Sequence, residues 1–184
     1  SEGGGEKFGG GDEGRECAYS TVIDGVIFQV TPHGGISRVW REVLGRISSV
    51  LPPSHCVVVI LRGGEGEELV SRAINVVGGR SNWKLVNAPL YKEGEKRDSI
   101  VLSSLCERYS ARWFFSTLYT FPAKELSPKV KVGLLVHDVT PEMFHWKGAI
   151  WEEKAEAISR ASDAIVVVSN RTGDKLREYY DLRE

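Results

Sequence analysis

Val130-Lys131-Val132-Gly133-Leu134-Leu135-Val136-His137-Asp138-Val139-Thr140-Pro141-Glu142 is the stretch on which the fold turns. The apolar run Val130 to Val136 reads as a strand and delivers a His-Asp pair at its C-terminal end. Thr140 followed by Pro141 fits an N-cap and a first helical position. In the segment beyond, Ile150, Trp151, Lys154, Ala155 and Ile158 recur at helical spacing. A second apolar run, Ala164 to Val168, reads as a buried strand and ends in Ser169-Asn170. Two strands that each release polar residues at their C-terminal ends are how an open parallel sheet builds a ligand crevice.

Working outward, Asn170 to Tyr180 reads as a last helix with Leu176 and Tyr180 on one face. Upstream, Trp113 to Ser116 is a short strand, and Leu102, Leu105, Cys106 and Tyr109 make a helical stripe. Lys92 to Asp98 is a charged loop of the kind that is usually a solvated surface. Lys84 to Asn87 is a weak strand, and Val70 to Val77 reads as either helix or strand. Arg62-Gly63-Gly64-Glu65-Gly66 is a loop. Cys56 to Leu61 is apolar and β-branched throughout, as in a strand buried on both faces. Gly25 to Val30 has a short strand pattern, broken by Thr31-Pro32-His33-Gly34-Gly35. Then Ile36, Val39, Trp40, Val43, Leu44 and Ile47 recur at helical spacing opposite Arg38, Arg41, Glu42 and Arg46, until Leu51-Pro52-Pro53 stops the helix. Strands alternating with helices predict an α/β fold, a Rossmann-like parallel sheet with helices on both faces.

The chain has 184 residues, enough for one domain with a real core. Residues 1–18 form a Gly-rich, charged segment with Gly3-Gly4-Gly5 and Gly9-Gly10-Gly11, expected to be a flexible leader to a domain over 19–184. The net charge of -1 gives no general pull toward nucleic acid or anionic lipid. No apolar run approaches the roughly 20 residues that span a bilayer. Cys17, Cys56 and Cys106 show no Cys-x-x-Cys spacing; Cys56 and Cys106 read as small core hydrophobes in a reducing cytoplasm. His33, His55 and His145 lack metal-ligand spacing, so no metal is expected. Trp40, Trp146 and Trp151 are expected in the core or at an interface, and Trp113 is expected to be buried.

Three places carry possible chemistry. Gly34-Gly35 lies between a strand pattern and a helix, where free first-turn amides and the helix dipole favour an anion; a plain turn needs glycine as well. His137-Asp138 follows a strand, so His137 is a candidate proton donor or acceptor and Asp138 a candidate hydroxyl-orienting group; Asp138 as a helix cap is the competing reading. Ser169-Asn170 starts a helix, and a local N-cap explains it as well as a ligand does. Several classes lose their signature: there is no Gly-x-Gly-x-x-Gly, no Gly-x-x-x-x-Gly-Lys and no Gly-x-Ser-x-Gly.

The order of features resembles the N-terminal half of a family 4 glycosyltransferase. The resemblance is carried by the Gly34-Gly35-Ile36 loop, a long helix with Arg38, the run from Val136 to Phe144, Lys154, Ala157-Ile158 and Arg160 to Ser169, and it covers about Thr21 to Tyr180. It implies a GT-B fold and retaining transfer of a sugar from a nucleotide sugar to a glycan, lipid or small-molecule acceptor. It implies that Gly34 and Gly35 face the donor diphosphate, that His137 lies near the donor sugar, and that Asp138 supports that loop. Ser116, Ser169 and Arg38 would line the cleft on the acceptor side. The resemblance implies no cofactor, no nucleic-acid partner and a cytoplasmic setting, with peripheral contact at the inner membrane face open.

In that family the nucleotide sugar is gripped mainly by a C-terminal Rossmann-like domain with a Glu-x7-Glu motif, and no such carboxylate pair stands out here. The expectation is a missing partner domain and no useful transferase activity from this chain alone. One rival is a non-catalytic protein- or glycan-binding module that keeps the fold. Another is an epimerase or reductase, against which the missing Gly-x-Gly-x-x-Gly counts. Exposed Phe144, Trp146 and Trp151 would form a sticky patch.

Overall fold

The computed structural model describes residues 19–52, 54–75, 82–95 and 97–182. The Gly-rich leader, Cys17, and the end of the Val70 to Val77 segment lie outside the described residues. Six parallel strands form one sheet in the order β3-β2-β1-β4-β5-β6: β1 Tyr19–Asp24, β2 His55–Leu61, β3 Trp83–Asn87, β4 Ala111–Ser116, β5 Lys131–Val136 and β6 Ala164–Val167. The helices are α1 Val26–Val30, α2 Gly35–Val50, α3 Gly66–Asn75, α4 Arg97–Arg108, α5 Thr140–Met143, α6 Ala149–Glu156 and α7 Asn170–Tyr179, with a π-helical turn, Ala157–Ala161, continuing α6. This is a Rossmann-like α/β fold, and its strand order is that of the doubly wound dinucleotide-binding sheets.

Strand β2 is buried along its whole length, and its alternation separates the two faces. Val57 and Val59 join Ile23 under Trp40 and Leu44 of α2 and Val70 and Ile74 of α3. Val58 and Ile60 join Val22, Phe114 and Val132 under Leu102 and Cys106 of α4. Both faces are therefore covered, which is why β2 reads as an unbroken apolar run. Between β4 and β5, Phe115 pairs in register with Gly133, and a Cβ there would come within 2.1 Å of the Phe115 ring. Glycine is what allows that ring to lie across β5.

Several expectations need correction. The first strand ends at Asp24, and Val26 to Val30 is a short helix instead of the strand expected over Gly25 to Val30. Gly25 is pinned against β2: its N–H donates to the Ile60 carbonyl at 3.0 Å, and a Cβ would lie 2.6 Å from that oxygen. The chain therefore leaves the sheet there, and the apolar residues after it stay buried as one helical turn. Of the ambiguous segment, Val70 to Asn75 is helical. Ala164 to Val168 is not a buried strand; β6 is the sheet's edge, and Val166 and Val168 are exposed. The charged loop from Lys92 is not solvated throughout: Asp98 lies in the first turn of α4 and binds a buried arginine. Trp146 is exposed, while Trp40 is buried and Trp113 and Trp151 are half-buried. Cys56 is disulfide-bonded, not the plain thiol expected. Cys106 is a free, buried thiol, its pKa pushed up by burial to about 12.

Candidate functional site

The sheet reverses its direction of growth at β1, and in such sheets ligands bind beyond the strand ends at the reversal. Here the chain's own side chains fill that place. Asp24 ends β1 and Arg62 follows β2, both buried. Arg62 Nε and Nη2 donate to Asp24 Oδ1 and Oδ2 at 2.7 and 2.9 Å. Arg62 Nη1 and Nη2 donate to Asp98 Oδ1 and Oδ2 at 2.7 and 3.0 Å, and Nη1 also reaches the Pro89 carbonyl at 3.0 Å. A guanidinium has five N–H donors, so these bonds use them all. Burial works against the arginine's charge, but the two carboxylates outweigh it and hold its pKa above the ordinary value. Burial also pushes the Asp98 carboxyl upward, against the pull of Arg62.

Ser116, expected along the cleft, belongs to this filled region. It is buried at the end of β4, its Oγ is 2.9 Å from Thr120 Oγ1, and it accepts the Leu118 N–H at 3.1 Å. Thr120 Oγ1 in turn donates to Asp24 Oδ2 at 2.6 Å. Thr117 Oγ1 donates to the Asp24 carbonyl and accepts the Ile27 N–H, which locks α1 over the end of β1.

The other half of the edge is differently built. His137 leaves β5 half-buried, and its Nε2 is buried with no hydrogen-bond partner among the described residues. An unpaired buried ring nitrogen costs free energy until a polar group reaches it. Burial pushes the imidazole below its ordinary pKa, and the Asp138 carboxylate pulls the other way. The Asp138 side chain is exposed and accepts the Thr140 N–H at 2.8 Å, bracing the turn one residue ahead of Val139, the N-cap of α5, and so is not itself the expected helix cap. Thr140 is accordingly the first residue of α5 and not its cap.

Beneath this turn lies Lys154, 1% exposed on α6. Its Nζ donates to the Asp138 carbonyl at 2.8 Å and to Glu142 Oε2 at 2.9 Å, and lies 5.6 Å over the Tyr119 ring. The Tyr180 hydroxyl, at the end of α7, donates to the other Glu142 oxygen at 2.8 Å. The loop after α5 then exposes Met143, Phe144 and Trp146, with Trp146 against Trp151 at 5.5 Å between ring centres.

The remaining candidates take separate places along the edge. Gly34 is the N-cap of α2 and Gly35 its first residue; a Cβ on Gly35 would meet nothing within 4 Å, so the helix start is open. Ser37 braces that start through the Thr31 carbonyl. Arg38 is exposed on α2 and lines a shallow groove of 520 Å³ with Val39, Val43, Ile47 and Val50. Ser169 caps α7, accepting the Thr172 N–H at 3.1 Å, and is exposed. The fold thus brings Gly34-Gly35, His137-Asp138 and Ser169 to the carboxyl ends of β1, β5 and β6, and puts Ser116 beneath the surface. No hydrogen bond joins these groups to one another among the described residues.

Asp24, Arg62, Asp98 and the Lys154-Glu142-Tyr180 chain were not among the candidate site residues, although Lys154 and Glu142 are among the residues that carry the family resemblance. One signal for Lys154 was present: it shares a helical stripe with Ile150, Trp151 and Ile158, so the stripe predicts a buried ammonium. Among the described residues no group of three or more His, Cys, Asp or Glu side chains is placed to hold a metal ion, and no helix is long and apolar enough to cross a membrane.

No family model matches the chain, and no curated protein matches it. Among solved structures, glucose-6-phosphate 1-dehydrogenase from Mycobacterium avium is similar, with a TM-score of 0.39 and 13% identity. The match covers 83% of this chain and 36% of that one. At that level the likeness carries no argument about function, and the fold rests on strand order and register.

Proposed function

We propose that this chain is the N-terminal, acceptor-side domain of a retaining family 4 glycosyltransferase, moving a sugar from a nucleotide sugar to a glycan, lipid or small-molecule acceptor. One observation carries the reading: the edge is sealed at the β1–β4 reversal, while at β5 the buried His137 Nε2 has no hydrogen-bond partner among the described residues. A dinucleotide enzyme needs the reversal point and a glycine-rich first turn. Here Asp24, Arg62 and α1 fill that region, which argues against the reductase reading.

On this reading His137 hydrogen-bonds the donor sugar, and its depressed pKa keeps it neutral and able to accept or donate near neutral pH. Asp138 holds the turn. The α2 start at Gly34 and Gly35 offers first-turn amides and the positive end of a 16-residue helix to the diphosphate. No metal or cofactor enters; the nucleotide sugar is a substrate. Transfer requires stabilising the leaving diphosphate and placing the acceptor hydroxyl at the anomeric carbon, and this domain supplies one wall for each. The exposed Met143, Phe144 and Trp146 support a face that meets another surface, whether a second domain or an apolar acceptor at the inner membrane face.

Two experiments test the reading. The coding sequence beyond Glu184 is expected to continue into a second Rossmann-like domain with two glutamates; a stop codon there, with no sugar-nucleotide binding by the parent, favours the binding-module reading. The 184-residue chain alone is expected to turn over no sugar nucleotide, while the parent protein does so and loses it with His137→Ala. Turnover by the chain alone, above a His137→Ala control, removes the two-wall argument. A cytoplasmic setting belongs to the same reading, and the disulfide at Cys56 counts against it; a thiol count on protein trapped directly in its natural host tests it, where a reduced Cys56 agrees and a persistent disulfide does not.

A further inference from the structure

We propose that Lys154 is a positioning residue: its ammonium, held between the Asp138 carbonyl and the Glu142 carboxylate, fixes the turn that presents His137 at the sheet edge. This rests on the reading that the β5 turn faces the donor. Lys154 is on α6, twelve residues beyond Glu142 and sixteen beyond Asp138, so the bonds join elements that the backbone alone leaves independent. A lysine is an expensive way to fill that space, since a buried pair is commonly replaceable by packed apolar residues without loss of stability. What an apolar residue cannot do is orient the Asp138 carbonyl and Glu142 together.

The anchoring has two arms. The inner arm is the Lys154 ammonium itself, steadied by the Tyr119 ring. The outer arm is the Tyr180 hydroxyl, which holds the second oxygen of Glu142 from the end of α7. With both arms in place Glu142 has one available orientation, and the Asp138 carbonyl is turned down toward α6. The Asp138 side chain is then left above to accept the Thr140 N–H. His137 is the residue before Asp138, so fixing the Asp138 carbonyl from below anchors the chain one residue past the ring-bearing Cα. The π-helical turn that starts at Ala157 continues α6 just past Lys154 and keeps Ala157 and Ile158 buried on the same side as the ammonium. Such turns recur at functional positions in helices.

The test is NMR on the full 184-residue chain, following the His137 imidazole through a pH titration, with His137→Gln to assign its signal. His55, at the opposite edge of the sheet, is the internal control. In Lys154→Met, the His137 midpoint is expected to rise toward 6.5, the ordinary value, as the loosened turn lets water reach Nε2. Exchange of the Thr140 amide is expected to speed up, with the His55 midpoint unmoved. Lys154→Arg, which keeps a cation beside Glu142, is expected to return the midpoint part-way. Tyr180→Phe is expected to move it in the same direction as Lys154→Met, by less. A folded Lys154→Met protein that loses melting temperature but keeps the His137 midpoint and the Thr140 exchange rate overturns the proposal. If Lys154→Met does not fold, an unmoved His137 in both Lys154→Arg and Tyr180→Phe overturns it. Failure of the glycosyltransferase reading shows separately, as no turnover by the parent protein while His137 still responds to Lys154.

Discussion

The two halves of the sheet's carboxyl edge solve the same problem in opposite ways. Both must end parallel strands where the chain leaves the sheet for a turn. At β1 and β2 the termination is closed: Asp24, Arg62 and Asp98 saturate one another and α1 is locked above them. At β5 and β6 it is open: Asp138 and Ser169 brace local turns, and the His137 ring nitrogen is left without a partner. A saturated cluster has nothing left to offer a ligand, however charged it is. An incomplete one does, so the open half is where function is to be sought in this chain.

Breaking the closed half is expected to have the largest effect. Arg62→Met leaves two carboxylates facing each other in a buried space, with Thr120 still donating to Asp24. Removing one partner of a buried ion pair costs about 3–5 kcal/mol. Urea unfolding of the variant is expected to show a loss in that range. Adding Asp24→Asn and Asp98→Asn to the Arg62→Met variant is expected to regain part of it, since the repulsion goes with the charges. A loss under ~1 kcal/mol for Arg62→Met, at the level of an exposed pair, would mean that water reaches the cluster and that the reversal point is open to ligands after all.

These two halves were not equally legible in the sequence. Strand-forming runs such as Cys56 to Leu61 and Val130 to Val136 announce themselves because they are buried on both faces, and from them the Rossmann-like sheet follows. The turn at His137-Asp138 was legible for the same reason: it directly follows such a run. The Asp24-Arg62-Asp98 cluster was not, because its members are 38 and 36 residues apart and each looks like an ordinary strand-end or loop charge. The short helix after Gly25 escaped for a related reason. Four apolar residues and Gln29 fit a strand or one helical turn equally well, and what decides is the close approach of Gly25 to the Ile60 carbonyl. Ser116 was placed on the right strand end but given the wrong exposure, since nothing local shows that Thr120 and Leu118 fold back over it.

The next effect is on the pH dependence of stability, and it compares two histidines. His55 is buried at the start of β2, with Nε2 2.8 Å from Thr21 Oγ1; His137 is half-buried without a partner for Nε2. Burial lowers the pKa of each in the folded chain, from an ordinary 6.5. Below that value the unfolded chain binds protons that the folded chain resists, so stability is complete above about pH 6.5 and falls as the pH drops through the folded values. Urea midpoints measured from about pH 8 to about pH 5 are expected to fall on the acid side. His55→Gln and His137→Gln are each expected to flatten part of the fall. If His137→Gln leaves the profile unchanged, the imidazole is already in water and the open half is more open than its burial indicates.

The smallest expected effects separate a helix cap, Ser169, from a turn-bracing side chain, Asp138, within the open half. Ser169→Ala removes the bond to the Thr172 N–H at the start of a ten-residue helix, and Asp138→Ala removes the bond to the Thr140 N–H ahead of a four-residue one. Losing a cap of this kind costs ~1 kcal/mol, and Ser169→Ala is expected to cost about that in a thermal melt. Asp138→Ala is expected to cost less, because the Asp138 carbonyl keeps its bond to Lys154 and holds the turn from below. The order of the two losses is the informative quantity. If Asp138→Ala costs more than Ser169→Ala, the side chain and not the Lys154 anchor carries the turn, and Asp138 becomes the group that sets the direction of His137.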